Sequence, residues 1–232
     1  MRRAAVTMST KGATLRALAF DLDGTLVDSA PDIGHALNQA LHESGFGSFD
    51  LEQVRAWIGD GPDVLIDRAL KALGQGEGAQ LHMTLRQGFD RATLSAPLTH
   101  GSVFEGILAL LQALRPAWPL VVVTNKPSTL ARAVLDAGGL LPYFAAVYGA
   151  DVAALRKPAP TMLNRAAQEL GLSTQQLLMV GDSAADMGSA AAAGSPAVWA
   201  GWGYGVLHSL PMPPRWQVQR PGQLLEILAE QS

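Results

Sequence analysis

No cysteine occurs among the 232 residues. A disulfide framework, a thiol nucleophile and a zinc–thiolate site are therefore excluded, and the chain suits a reducing compartment such as the cytoplasm. Charge is scarce as well. Charged residues make up 16% against 48% hydrophobic, which excludes a disordered, tail-like polymer. The net charge of -3 comes with no basic stripe, so no nucleic-acid partner is expected. No apolar run approaches the ~18 residues of a membrane helix, so no membrane partner is expected either. Met1, Arg2 and Arg3 are followed by Thr7, Ser9, Thr10 and Lys11 with no apolar stretch, which argues against a secretory leader. Residues 1–14 read as an N-terminal tail, with Met8 as an alternative start. None of the five histidines falls in a ligand-like cluster, and His35 and His42 read as surface residues.

What the chain does contain is concentrated in the run from Phe20 to Ser29. Asp21 and Asp23 stand two residues apart, directly after the apolar stretch Leu15 to Phe20, which reads as a buried strand. Gly24 then turns the chain. Ligands of α/β sheets bind at the carboxyl ends of strands. Two acids there repel each other unless a cation or a shared proton compensates, so the pair suggests a hard metal ion, a nucleophile, or both. An acidic turn is the plain alternative, because Asp and Gly are common turn residues. An EF-hand loop fits poorly, since Leu26 occupies the position where that loop needs glycine.

The rest of the chain divides in two by periodicity. Between Pro31 and Pro97 only helical spacing is found. One helix carries Ile33, Ala36, Leu37, Ala40 and Leu41 and stops at Gly45. Asp50 and Gln53 predict the start of a second, burying Val54, Trp57 and Ile58. A third is expected from Val64 to Leu73 and a fourth from Leu81 to Leu94. From Phe104 onward strands and helices alternate. Strands are predicted at Leu120–Val123, Phe144–Tyr148, Leu177–Val180 and Ala197–Ala200. Helices are predicted at Ile107–Leu114, from a Ser128 cap to Ala137, and at Thr161–Leu170, Ala184–Ala193 and Leu224–Leu228. The expected fold is α/β, a doubly wound parallel sheet with a small inserted helical domain. Its core comprises residues 15–29 and 101–232, and residues 30–100 form the insert.

Three predicted strands end in polar residues: Asp21-Leu22-Asp23, Thr124-Asn125 and Gly181-Asp182-Ser183. Lys157-Pro158 precedes the third. If these strands are parallel neighbours, three acids, a hydroxyl and an ammonium converge on one sheet edge. That set suits a phosphate ester: cationic groups neutralise its oxygens, Thr124 donates a hydrogen bond, and a carboxylate attacks phosphorus.

With these four motifs in order, and Asp186 closing the last, the chain resembles the haloacid dehalogenase (HAD) superfamily in its helical-cap branch, over nearly everything from Leu15 onward. The resemblance implies that Asp21 is the nucleophile and that Asp23 serves as general acid and then base. Magnesium (Mg2+) would be held by Asp21, the backbone carbonyl of Asp23, and Asp182. Asp186, with Ser183, would orient a water bound to that ion. Thr124, the Asn125 backbone and Lys157 would hold the phosphoryl group. Lys126 is a rival to Lys157, but the Pro158 context favours Lys157 and leaves Lys126 as a solvated loop residue. The acid at position 23 implies phosphoester chemistry, because dehalogenases and phosphonate-cleaving relatives lack it.

Specificity is expected in the cap, since the phosphoryl site handles only the common end of any substrate. The runs Val27 to Asp32, Val54 to Gly61 and Thr124 to Pro127 resemble phosphoglycolate phosphatases. The Gly59-Asp60-Gly61 turn either lets backbone approach a small anion or is a simple helix-to-helix turn. Arg55 either meets a carboxylate or is solvated. The Trp199–Tyr204 segment reads as packing or loop. The activity expected is magnesium-dependent hydrolysis of 2-phosphoglycolate, a small phosphorylated metabolite, by a cytoplasmic monomer or homodimer. A sugar phosphate, a nucleotide monophosphate or pyrophosphate is the alternative substrate, and a non-catalytic binding module is the reading outside enzymes.

Overall fold

A computed structural model describes residues 14–76, 78–206 and 213–230. The expected tail lies outside the described residues, apart from residue 14. A six-stranded parallel sheet runs in the order β5 (Ala146–Gly149), β4 (Leu120–Thr124), β1 (Ala17–Phe20), β6 (Leu177–Gly181), β7 (Ala197–Ala200), β8 (Trp216–Val218). β1 is central, and the chain builds outward first on its β4 side and then on its β6 side. The strand order thus reverses at β1, where such sheets open a crevice for ligands.

Alternation along each strand sorts residues between two packed faces. Leu18, Phe20, Val122, Leu178 and Val180 pack on one side with Ile107, Leu110 and Leu111 of α5 (Ile107–Leu114). Val134 of α6 (Ser128–Ala137) and Leu224 of α9 (Gln223–Ala229) join the same face. Ala17, Ala19, Val121, Val123 and Met179 face the other way. They meet Leu163 and Ala166 of α7 (Thr161–Glu169), and Met187 and Ala190 of α8 (Ala184–Ala193). Alanines in β1 on this second side let the helices sit close.

Between β1 and β4 lie α1 (Ala30–Glu43), α2 (Leu51–Trp57), α3 (Pro62–Ala72) and α4 (Ala79–Ser95). They bury a cluster of their own, including Leu37, Leu41, Val54, Ile66, Leu85 and Phe89, which Leu130 of α6 joins from the core. The Asp50 carboxylate accepts a 2.8 Å hydrogen bond from the Gln53 backbone N–H, as the sequence suggested. Trp57 and Ile58 are half-buried rather than buried.

Three differences from the sequence expectations have local causes. Ser128 does not cap α6, because its hydroxyl donates to Asp151 at 2.8 Å and Pro127 occupies the cap position. β8 was not expected, since its three residues carry little periodicity. A two-stranded antiparallel ribbon, β2 (Val27–Asp28) with β3 (Ser102–Val103), was also not expected. It ties the strand entering the helical insert to the strand leaving it.

Beside this ribbon, Asp32 of α1 fastens the returning chain. Its carboxylate is 6% exposed and accepts from the backbone N–H groups of Thr99, His100 and Gly101 at 2.7–2.8 Å. Three backbone donors lose a charged acceptor if it is removed. Asp32→Ala is therefore expected to lower unfolding free energy by about 3 kcal/mol, with Asp32→Asn losing less. Urea titration of the two variants measures this, and an unchanged midpoint for the alanine would refute it.

Candidate active site

The carboxyl ends of β1, β4 and β6 lie side by side, so the residues just beyond them share one crevice. Asp21 continues the β1 ladder, donating its N–H to the Val180 carbonyl at 2.9 Å. Gly24 then reverses the chain with φ of 87°, and any Cβ there would strike the Asp182 carboxylate. The sharp return lets Thr25 donate to Asp182 Oδ1 at 2.7 Å. Tyr204 N–H donates to the other oxygen, Oδ2, at 2.8 Å.

Asp186 is the third residue of α8 and forms a reciprocal cap with Ser183. Its Oδ2 accepts from the Ser183 N–H at 2.9 Å and hydroxyl at 2.6 Å, and its own N–H donates back to that hydroxyl at 3.2 Å. Its Oδ1 accepts from the Lys157 ammonium at 2.5 Å. Lys157 is 1% exposed; it also donates to the Val123 carbonyl at 3.0 Å and stands 2.8 Å from Asp21 Oδ1. That last approach is an ion pair without hydrogen-bond alignment, so Asp21 Oδ1 is a buried oxygen lacking a hydrogen-bond partner.

Carboxylate oxygens of Asp21, Asp182 and Asp186 fall within 4.8 Å of one another. Burial, then the neighbouring Asp186, raises the Asp21 pKa to about 8 and that of Asp182 to about 7. Burial pulls Lys157 down, but Asp186 and Asp21 pull it up further, and the net direction is up. A salt bridge to Lys157 alone would lower Asp21. The rise prevails because burial, and then repulsion from Asp186, outweighs the attraction of an ammonium that Asp186 shares. Three oxygen-donor acids with an orphaned oxygen fit a hard divalent cation.

Asp23 points elsewhere. Its carboxylate accepts from the Ser29 hydroxyl at 2.5 Å and from the Lys126 ammonium at 2.9 and 3.0 Å. Lys126 is therefore not the solvated loop residue expected from sequence. It is 5% exposed, because the helical insert closes over its loop. Thr124 is 1% exposed and accepts from the Lys126 N–H at 3.2 Å. The Asn125 side chain bridges the two parts of the fold. It donates to the Gly59 carbonyl at 2.9 Å and to the Lys157 carbonyl at 3.2 Å, and accepts from the Lys157 N–H at 2.7 Å.

Of the insert residues expected to set specificity, Gly59 and Gly61 line the cavity that Asp21 and Asp23 also line. Gly61 has φ of 86°, and a Cβ there would stand 2.8 Å from the Asn125 carbonyl. The turn therefore docks on the core, as a plain connector would not require. Asp60 turns away and holds Arg68 at 2.5 Å. Arg55 is half-exposed, 3.8 Å from Asp28, with its guanidinium over the Tyr204 ring. The Trp199–Tyr204 segment does more than pack. The Trp202 indole donates to the Thr25 carbonyl at 2.9 Å, and the Tyr204 hydroxyl donates to Asp28 at 2.7 Å. Those supports were illegible in sequence, although two aromatics in a Gly-rich loop past the second acidic strand end were a usable signal.

A parallel α/β sheet with a buried acid cluster at its switch point suits a hydrolase. The chain matches the model of the haloacid dehalogenase-like hydrolase family over residues 15–194, and it belongs to that family. Among its relatives is a phosphoglycolate phosphatase of Rhodospirillum rubrum, 41% identical over 194 residues, with 82% of this chain and 80% of the relative covered. Another, from Yersinia pseudotuberculosis, is 37% identical over 191 residues, covering 82% of both chains. The crystal structure of a predicted phosphoglycolate phosphatase from Haemophilus somnus superposes with a TM-score of 0.83. It is 28% identical, with 92% of this chain and 98% of that chain covered.

The raised acids make a signed prediction. Asp21 and Asp182 ionise near pH 8 and 7 when folded but near 3.8 in the ordinary case. The folded chain thus binds more protons across that window, and its stability falls as pH rises through it. In chelator, the melting temperature should drop between about pH 5 and about pH 8. A divalent cation should restore it, by more at the higher pH, because it competes with the protons. Thermal melts at both pH values test this; insensitivity to both pH and cation would reject the electrostatic account.

Proposed function

We propose that this protein is a magnesium-dependent phosphomonoesterase that converts 2-phosphoglycolate to glycolate and phosphate through an aspartyl-phosphate. One observation carries the reading. Asp21, whose Oδ1 has an ion pair but no hydrogen bond, lies in a buried acid cluster, while Asp23, two residues on, faces a cavity under the helical insert. Residues 30–100 act as the cap, and residues 15–29 and 101–232 as the catalytic core. The relatives named phosphoglycolate phosphatase support the substrate.

Asp21 and Asp182, with the Asp23 backbone carbonyl, would hold magnesium. Bound there, magnesium offsets the repulsion among the acids and neutralises charge on the phosphoryl oxygens. The Asp21 carboxylate attacks phosphorus, and the bond to the ester oxygen breaks. Asp23 gives its proton to the departing glycolate oxygen, then takes one from the water that cleaves the aspartyl-phosphate. Each proton returns to its starting group over the cycle. Lys157 and Thr124 bind the phosphoryl oxygens, while Asp186 and Ser183 hold Lys157 and the α8 terminus in position. The cap excludes bulk water from the intermediate.

Asp21→Asn should reduce kcat by about 10^4-fold or more, as loss of a nucleophile does. It should not lower the melting temperature in chelator, because burial and Asp186 already disfavour the charged form of Asp21. Phosphate release and a thermal melt on the same preparation check both, and retained turnover would reject the nucleophile. Against glucose 6-phosphate, a nucleoside monophosphate and pyrophosphate, 2-phosphoglycolate should lead by about tenfold or more in kcat/KM. A low rank for it in that panel would remove the substrate assignment.

A further inference from the structure

Beneath the cap lies a small cavity of about 30 Å³, counted as room for the centre of a water molecule, that opens to solvent. Ile33, Ile58, Leu65 and Phe89 form its apolar cap wall, and Asp21 and Asp23 lie on the core side. Among the described residues lining it, Lys126 is the one cation. Arg156, at the same seam, pairs instead with Asp63 of α3 at 3.2 Å. The Lys126 side chain is 4% exposed, and Asp23 is its ionic partner. A dehydrated ammonium requires such an anion, and its four-carbon stem can turn it toward another close by.

We propose that Lys126 is the specificity-determining residue of this site, its ammonium binding a carboxylate carried on the carbon next to the substrate's ester oxygen. The inference rests on the phosphatase reading and on the role given there to Asp23. A group exchanging a proton with the ester oxygen stands about 3 Å from it. Lys126 Nζ is 2.9 Å from Asp23 Oδ1, so the ammonium lies within about 6 Å of that ester oxygen. In a glycolate ester, ordinary bond lengths put the carboxylate oxygens about 3 Å from the same atom. A charge-assisted N–H···O contact adds about 2.8 Å. The two spans agree. A second anion several bonds farther out meets the apolar cap wall instead, and a neutral substituent leaves the ammonium with Asp23 alone.

The decisive comparison is 2-phosphoglycolate against 2-phosphoglycolamide, which matches it in shape and lacks the carboxylate charge. The wild-type protein should prefer the acid by about a hundredfold in kcat/KM, and Lys126→Met should bring that ratio close to one, chiefly through KM for the acid. A methionine variant that keeps the preference overturns the proposal, even where both rates fall through a disturbed Asp23. A wild-type protein indifferent to the carboxylate overturns it without any variant, which covers a variant that does not fold. Should another ester outrank 2-phosphoglycolate, the substrate assignment fails while the acid-to-amide ratio still decides the role of Lys126.

Discussion

Three buried carboxylates share one buried ammonium, and the rest of the structure is arranged around that imbalance. At 4.8 Å, two like charges repel by about 3 kcal/mol at an effective dielectric constant near 20. Each acid has a different remedy. Asp186 is satisfied completely by Lys157 and by the Ser183 cap. Asp182 receives a hydroxyl and a backbone N–H. Asp21 has a single ion pair, to Lys157 through Oδ1, without hydrogen-bond alignment. The acid with fewest partners is the one least stabilised as it stands, which suits a group proposed to attack phosphorus.

Topology decides that these acids meet at all. Asp21 and Asp182 follow adjacent strands in space, yet about two-thirds of the chain separates them in sequence. The β1–β6 register sets Phe20 opposite Val180, so both acidic turns start at nearly the same height on the sheet. Lys157 enters from beyond β5, and the Asn125 side chain holds its backbone at both the N–H and the carbonyl. The same side chain reaches Gly59 of the cap. One amide therefore links the lysine that balances the acids to the element that shields them.

Much of this was legible in sequence, for identifiable reasons. Apolar spacing marks the central strands and the helices packed on them, and Ile107–Leu114 and Ala184–Ala193 were placed to the residue. The acidic motifs showed themselves through spacing at strand ends. What stayed hidden depends on contacts between distant segments. Lys126 reads as solvated because nothing local announces that a cap 60 residues earlier will cover it, as the Gly61–Asn125 approach does. Ser128 reads as a helix cap until Asp151 claims its hydroxyl. Asp32 reads as one more acid in a helical first turn, although its partners arrive from residues 99–101.

The cap and core are asymmetric in a way that bears on selectivity. The core side of the cavity holds its charged groups, while the cap contributes Ile33, Ile58, Leu65, Phe89 and glycine backbone. An apolar wall does little to reject a neutral substituent by attraction or repulsion, and its effect is mostly on size. On the proposed reading, discrimination by charge within this cavity falls to its core side, where Lys126 sits two residues beyond Thr124. Binding one end of a small dianion and sensing the other would then be tasks of one short loop. The cap acts by burying that loop and strengthening each contact the loop makes.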